Sequence, residues 1–335
     1  MVIPVIHCFD ANFVPAAAVA FLSMLEHADK AHEYRFYVMH SDIDERRQTE
    51  LKRIVGRFPN ASLEFMDMKE RLDAEFDGLA THAHYSKEVL YKLLTPSLFP
   101  QYDRAVITDV DVMYRRDFSA EFVRFDIDGA DSDKYLAGIS WRKFGKRLKC
   151  FPSMKNDYRK FSEEDYRKIQ DGVGGGFLFF NLRKMREDGI ERMMMDCLDA
   201  KAGILRQSEQ DVINLCCSRA IKYLPPRMMV CTFQWELPSA DELKLIQEEL
   251  DNAVQVHFAG ADKPWNASTC LFVEEWFAYL MRTPFLKDTL HGGFDYTGKW
   301  NYTFCGIPLV RRKTTTRRTS ARLFGFLPLK EKRIA

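Results

Sequence analysis

The run Arg104-Ala105-Val106-Ile107-Thr108-Asp109-Val110-Asp111-Val112-Met113 concentrates residues able to do chemistry. Ala105-Val106-Ile107 has the length and β-branched content of a buried strand. It ends in two carboxylates one residue apart. In an extended chain residues i and i+2 share a face, so Asp109 and Asp111 converge while Val110 and Val112 turn the other way. Two unpaired carboxylates at that range repel each other. A hard divalent cation removes the conflict, and oxygen ligands suit Mg²⁺ or Mn²⁺. Taken alone, the pair also reads as two solvated aspartates in a turn.

The surrounding pattern says what would hold such a pair in place. Val2 to Cys8 reads as a first buried strand, followed by the loop Asp10-Ala11-Asn12 and an apolar helix from Val14 to Leu25. Tyr34 to His40 and Ser62 to Met66 read as strands, separated by an amphipathic stretch from Ile43 to Phe58 with Leu51, Ile54 and Val55 at helical spacing. Strand and helix alternating at these lengths predict a parallel α/β sheet. Ligands of such sheets bind outside the carboxyl ends of the strands, where both Asp10-Asn12 and Asp109-Asp111 fall. Ser86 is positioned to cap a helix through Val89, Leu90, Leu93 and Leu94 that Pro96 perturbs. Tyr135 to Ile139 reads as a strand, and the basic stretch 141–171 as an insertion, a lid or a solvated face. Gly174-Gly175-Gly176 leads into an apolar strand, Phe177 to Phe180. Its spacing is not that of a dinucleotide-binding loop, and three glycines there allow close backbone approach. Helices are predicted over 186–200 and 209–220, and a late strand over Val254 to Phe258.

With 335 residues and 46% hydrophobic content the chain can bury a sizeable core. No secretory pattern opens it, and no apolar run reaches the roughly 18 residues that a membrane span needs. Eight cysteines without a Cys-x-x-Cys pair suit a reducing cytosol. The net charge of +1 is unevenly spread: from Arg311 to Ala335 nine Lys/Arg face one acid, Glu331, which leaves the preceding residues at −7. An acidic body with a basic, aromatic-containing tail predicts an anionic membrane surface as the tail's partner. A disordered, solvated tail is the alternative, and no nucleic-acid motif is present.

Together these segments resemble the family 8 retaining glycosyltransferases over roughly residues 2–266. The resemblance rests on Val5-Ile6-His7-Cys8-Phe9-Asp10-Ala11-Asn12-Phe13, Tyr91-Lys92-Leu93, Asp109-Val110-Asp111, Gly176-Phe177-Leu178-Phe179-Phe180-Asn181, Ser208-Glu209-Gln210-Asp211-Val212-Ile213-Asn214 and His257-Phe258-Ala259-Gly260-Ala261-Asp262-Lys263-Pro264-Trp265. It implies a GT-A-type (Rossmann-like) fold, a mostly parallel sheet flanked by helices, here with a helical basic C-terminal extension. The expected division is a catalytic domain at 1–266, a helical region at 267–309 and a membrane-associating tail at 310–335.

The same resemblance implies a metal-dependent hexosyltransferase. It would move galactose or glucose from a UDP-sugar, with retention, to a lipid-linked bacterial glycan such as lipopolysaccharide at the inner face of the cytoplasmic membrane. Asp109, Asp111 and His257 become ligands of Mn²⁺ or Mg²⁺. Cys8, Asp10, Asn12, Lys92, Val110, Gly260 and Lys263 join the two aspartates in donor binding, and Glu209, Gln210 and Asp211 stand near the anomeric carbon. A nitrogen ligand beside two carboxylates tilts the site toward Mn²⁺. Trp265 reads as a packing anchor. The chain departs from the family pattern at Lys92 (for Arg), Glu209 (for Asp), Gly174 (for Asn) and Ser140-Trp141, where an Asp is common. Glu209 and Gly174 keep open the alternative of a sugar-nucleotide-binding protein without transfer, and a self-glycosylating priming protein is a further family variant. A phosphatase of the haloacid dehalogenase type also places Asp-x-Asp after a strand, but carries it near the N-terminus.

Overall fold

The computed structural model describes residues 1–70, 87–140, 158–232, 247–260, 263–266, 270–291, 298–304, 307–314, 318–323 and 327–333. They belong to two compact units, Met1–His257 and Phe258–Ala335.

The first unit opens with β1 (Val2–Cys8) and α1 (Val14–His27), joined by a 3₁₀ turn over Ala11–Phe13. Nearly every α1 position from Val14 to Leu25 is buried, which explains why its sequence is apolar on all sides. Then come β2 (Glu33–His40), α2 (Glu45–Val55) and β3 (Ala61–Asp67). Helix α2 starts where Asp44 accepts from Arg47 N–H, and buries Leu51, Ile54 and Val55 on one face. A 3₁₀ helix, Lys87–Leu94, runs into the short α3 (Thr95–Leu98), with Pro96 in the first turn of α3, where a missing N–H costs nothing. The cap expected at Ser86 lies outside the described residues.

Next follow β4 (Arg104–Thr108), β5 (Val112–Tyr114), α4 (Ser119–Arg124), β6 (Leu136–Ser140), α5 (Glu163–Gln170) and β7 (Val173–Asn181). Of the stretch expected to form an insertion, 141–157 is outside the described residues, and the rest contains α5, capped by Ser162. The helix predicted over 186–200 is two, α6 (Leu182–Glu187) and α7 (Ile190–Lys201), because Gly189 between them has φ +65. Helix α8 (Ser208–Cys217), β8 (Ile221–Tyr223), β9 (Val230–Cys231) and β10 (Gln255–His257) complete the unit.

The main sheet has the order β3-β2-β1-β4-β7-β6-β8. Strands β1 to β4 pair in parallel, and β7 runs antiparallel between β4 and β6. This is the mostly parallel, helix-flanked α/β architecture expected, with one strand reversed. A second sheet, β5-β10-β9, carries the late strand. Gly174-Gly175-Gly176 lies inside β7 rather than before it. At its start Asn214 of α8 bonds both the N–H and the carbonyl of Val173. Losing that amide would leave buried backbone groups unpaired at about 1–3 kcal/mol.

In the second unit α9 (Val273–Leu280) and α10 (Leu286–His291) precede four strands, β11 (Gly298–Phe304), β12 (Ile307–Thr314), β13 (Arg318–Leu323) and β14 (Leu327–Arg333), paired as an antiparallel meander. This corrects the expectation of a helical basic extension. Thr303, Ile307, Val310, Thr314 and Thr319 favour strands. Pro308 and Pro328, which would break helices, pair at the two register shifts, where a missing N–H is tolerated. Trp265 packs against Trp276 with ring centroids 5.4 Å apart and planes tilted by 43°, in keeping with a packing anchor.

Candidate active site

The three expected metal ligands meet at the end of β4. The amide of Asp109 continues the sheet by donating to Gly176 O at 3.1 Å, and Asp111 immediately precedes β5. Strand register does the rest: β10 pairs antiparallel with β5 so that His257 lies opposite Val112, and parallel with β9 so that it lies beside Cys231. His257 Nε2 stands 3.2 Å from Asp111 Oδ1 and 3.6 Å from Asp109 Oδ2. One ligand atom from each residue fits within 4.8 Å of the others. Two carboxylate oxygens and one imidazole nitrogen converging in this way suit a divalent cation. Burial alone would lower the His257 pKa, but the Asp111 carboxylate outweighs it and lifts the value to about 10. A metal there therefore competes with a proton. Val110 turns into the core as alternation requires.

Support for this cluster was not visible in the sequence. Gln255 Nε2 donates to Thr108 Oγ1 at 2.9 Å and to the Tyr114 hydroxyl at 2.8 Å, tying the two sheets together beneath the ligands. Gly176 is required by contact: a Cβ there would lie 2.4 Å from His257 Cε1. At Gly174 a Cβ would stand 2.7 Å from Met229 Cε, the far end of a flexible side chain that can give way.

Glu209, Gln210 and Asp211 occupy the first turn of α8, and their side chains part. Glu209 Oε1 accepts from Lys92 Nζ at 2.9 Å. Gln210 Oε1 accepts from Gly175 N–H at 2.7 Å, and its Nε2 is buried without a partner among the described residues. Asp211 is fully buried, accepting from the Tyr158 hydroxyl and from the N–H groups of Arg206 and Gln207. Ser208, just before Glu209, has φ +41, a conformation costing about 1–3 kcal/mol that fixes the direction in which the turn leaves the loop. Nothing in the residue type Ser signals that. Burial lifts the Glu209 carboxyl above its usual range, with Lys92 opposing the shift. Burial works against the Lys92 ammonium, yet Asp109 and Glu209 together hold its pKa above the usual lysine range.

At the end of β1, Cys8 is buried and burial pushes its thiol up. Asp10 caps the following turn by accepting from Asn12 N–H at 2.8 Å; burial raises its carboxyl, and Glu88 and Asp42 add to the shift. Asn12 is exposed. Asp42 accepts from Ala11 N–H at 2.8 Å, and buried Glu88 accepts from Ser41 Oγ at 2.5 Å. Neither acid was singled out from sequence, because each needs the strand order to be recognised. The three form an acceptor-rich rim suited to N–H and hydroxyl groups. Gly260 and Lys263 belong to the second unit. Gly260 has φ +84, and Lys263 Nζ donates to Phe258 O at 2.7 Å.

Known proteins resemble this chain in sequence and in fold. General stress protein A of Bacillus subtilis (strain 168) is 22% identical over 288 residues, 83% of this chain and 93% of that protein. A lipopolysaccharide 1,2-glucosyltransferase of Escherichia coli is 20% identical over 261 residues, covering 77% of this chain and 71% of its own. Among solved structures the galactosyltransferase LgtC, in complex with donor and acceptor sugar analogues, superposes with a TM-score of 0.65 at 18% identity, covering 87% of this chain and 99% of its own. The bifunctional glycosyltransferase WbbM superposes at 0.67 with 20% identity, and the match covers 87% of this chain but only 51% of WbbM. At these identities the superpositions establish the shared fold. Residues 4–269 match the family described as glycosyl transferase family 8, which covers the Asp109–Asp111–His257 cluster and the Glu209 turn, and the chain belongs to that family.

Proposed function

We propose that this glycosyltransferase moves a hexose, galactose or glucose, from a UDP-sugar to a glycan acceptor with retention of anomeric configuration. The observation that carries the reading is the convergence of Asp109, Asp111 and His257 at the end of β4 in a family 8 chain. Held by these residues, Mn²⁺ or Mg²⁺ would supply the positive charge that stabilises a departing diphosphate. The remaining roles fall to side chains. The rim at Asp10, with Asn12, accepts hydrogen bonds from base and ribose. Glu209 and Gln210 orient the sugar hydroxyls, while Asp211 holds the 206–207 loop so that they can. Gly260 and Lys263 serve the phosphates, glycine by admitting them and lysine by its charge.

A lipid-linked acceptor such as lipopolysaccharide is supported by the E. coli relative's name and by the basic tail. No helix among the described residues is long and apolar enough to cross a membrane. Attachment to the inner face of the cytoplasmic membrane would therefore be peripheral, through the cations of the meander. The deciding experiment measures UDP release from a panel of UDP-sugars, with Mn²⁺ or with excess chelator, and reads the product's anomeric proton by NMR. Metal-dependent release from one UDP-hexose and an α-linked product are expected from an α-linked donor. Full turnover in chelator or a β-linked product refutes the mechanism. Vesicle sedimentation tests the membrane partner: equal binding to anionic and neutral vesicles rejects it.

A further inference from the structure

Lys92 is 1% exposed, and its ammonium has no bond to spare. It donates to Asp109 Oδ1 at 2.6 Å, to Glu209 Oε1 at 2.9 Å and to Gly175 O at 3.2 Å. A lysine carries three N–H donors, and three acceptors take them. A ligand that hydrogen-bonded to this nitrogen would have to displace one of those partners. An arginine at the same position would bring five donors and keep some in reserve.

The three acceptors come from different parts of the unit. Asp109 is one of the converging metal ligands, Glu209 opens α8, and Gly175 lies in β7. Gly175 also donates its N–H to Gln210, and a Cβ on it would stand 3.2 Å from Glu209 Oε1. The ammonium thus sits where the β4 end, β7 and the α8 turn meet. Asp109 and Glu209 both bear on its charge. Without it, the buried Glu209 carboxylate and the partly buried Asp109 carboxylate would face each other with no cation between them, an arrangement that favours capture of some other cation.

We infer that Lys92 is a positioning residue, a cross-brace that neutralises Asp109 and Glu209 together and thereby lowers and sets the metal affinity of the Asp109–Asp111–His257 cluster, rather than a contact to the transferred sugar. The inference deepens the glycosyl-transfer reading and rests on it for the metal's purpose. The brace itself is read by metal binding without any sugar nucleotide. A cation entering the cluster draws on Asp109, which the ammonium already shares, so lysine and metal compete for one carboxylate. Glu209 then receives more of the lysine, and metal loading is transmitted to the first turn of α8.

The test is a titration of the full-length apo protein with Mn²⁺, reading free Mn²⁺ by electron paramagnetic resonance with no nucleotide present. Lys92→Met keeps the stem and removes the charge. Its Mn²⁺ affinity should rise at least tenfold while turnover with UDP-sugar falls at least tenfold. Lys92→Arg restores the charge and should return Mn²⁺ affinity to within threefold of wild type. Unchanged or weaker Mn²⁺ binding by folded Lys92→Met, with a raised KM for the UDP-sugar, overturns the inference and makes Lys92 a donor contact. If Lys92→Met does not fold, Glu209→Gln carries the test. With one acceptor neutral, the ammonium turns to Asp109 and Mn²⁺ affinity should fall at least tenfold; an unchanged affinity overturns the brace. Failure to turn over any UDP-sugar would refute the transfer reading while leaving the Mn²⁺ titration able to decide for or against the brace.

Discussion

The candidate metal site at Asp109, Asp111 and His257 and the Glu209–Gln210 turn share Lys92, but they are held by different means. Asp109, Asp111 and His257 stand on strands or directly beside them, and their spacing follows from backbone register between β4, β5, β7 and β10. Glu209 and Gln210 stand at the start of a helix whose direction is set by a positive φ at Ser208 and by side-chain bonds to Lys92 and Gly175. Backbone register is fixed by many cooperative bonds, and changing one side chain does not move it. Side-chain bonds change with every substitution. The two regions therefore differ in how freely they can vary; of the departures noted in the sequence, Glu209 falls in the second, Lys92 joins the two, and Gly174 lies in β7.

That contrast is open to direct attack. The largest effect is expected from Asp111→Asn, which removes a ligand charge from a site whose frame stays put. Turnover with UDP-sugar and Mn²⁺ should fall by about a hundredfold or more while the melting temperature holds. A variant retaining most of its activity would separate the cluster from catalysis. Gly176→Ala comes next. Its methyl meets the His257 ring, so metal affinity in a Mn²⁺ titration should drop by about 10–100-fold with the ligands themselves intact. Unchanged affinity would show that the ring is free to step aside and that register does not fix it.

Glu209→Asp should act on the other region. Withdrawing the carboxylate by one methylene is expected to change the ratio of UDP-galactose to UDP-glucose use by about threefold or more, with less effect on metal dependence. An unchanged ratio removes Glu209 from the sugar side. The smallest effect concerns the frame. His7 is buried beneath Thr108, whose carbonyl its Nδ1 meets at 3.1 Å, and burial lowers its pKa from 6.5 to about 3. Between those values the unfolded chain binds a proton that the folded chain refuses, so stability is complete above pH 6.5 and is lost as pH falls toward 3. His7→Phe should cost about 1 kcal/mol at neutral pH through the lost bond, yet decline less steeply in acid. Parallel acid profiles in denaturant titrations would absolve His7.

The same contrast explains what the sequence revealed. β1 was legible as a continuous apolar run, and β2, β3 and α2 through the placing of their apolar residues between polar ones. The Asp-x-Asp pair was legible because strand alternation alone brings it together. His257 could be assigned only through a resemblance, since the three-residue strand that carries it has no period to read. The contacts of Lys92 with Glu209, and of Asn214 with Val173, join residues far apart in sequence and left no local trace. The glycines of β7 misled because glycine disfavours strands; here closeness to His257 and α8 outweighs that preference. The tail was expected to be helical, and its prolines and β-branched residues prevailed.

The meander of the second unit has an electrical consequence of its own. Its register sets Lys299 across from Lys313, Arg311 across from Arg322, and Arg318 across from Arg333. Like charges at paired positions of neighbouring strands weaken the pairing, and dissolved ions screen that repulsion. This sheet therefore resembles a spring compressed by its own charge. Salt should tighten it, as should any polyanion laid against it, whereas dilution into low ionic strength should loosen its strands first.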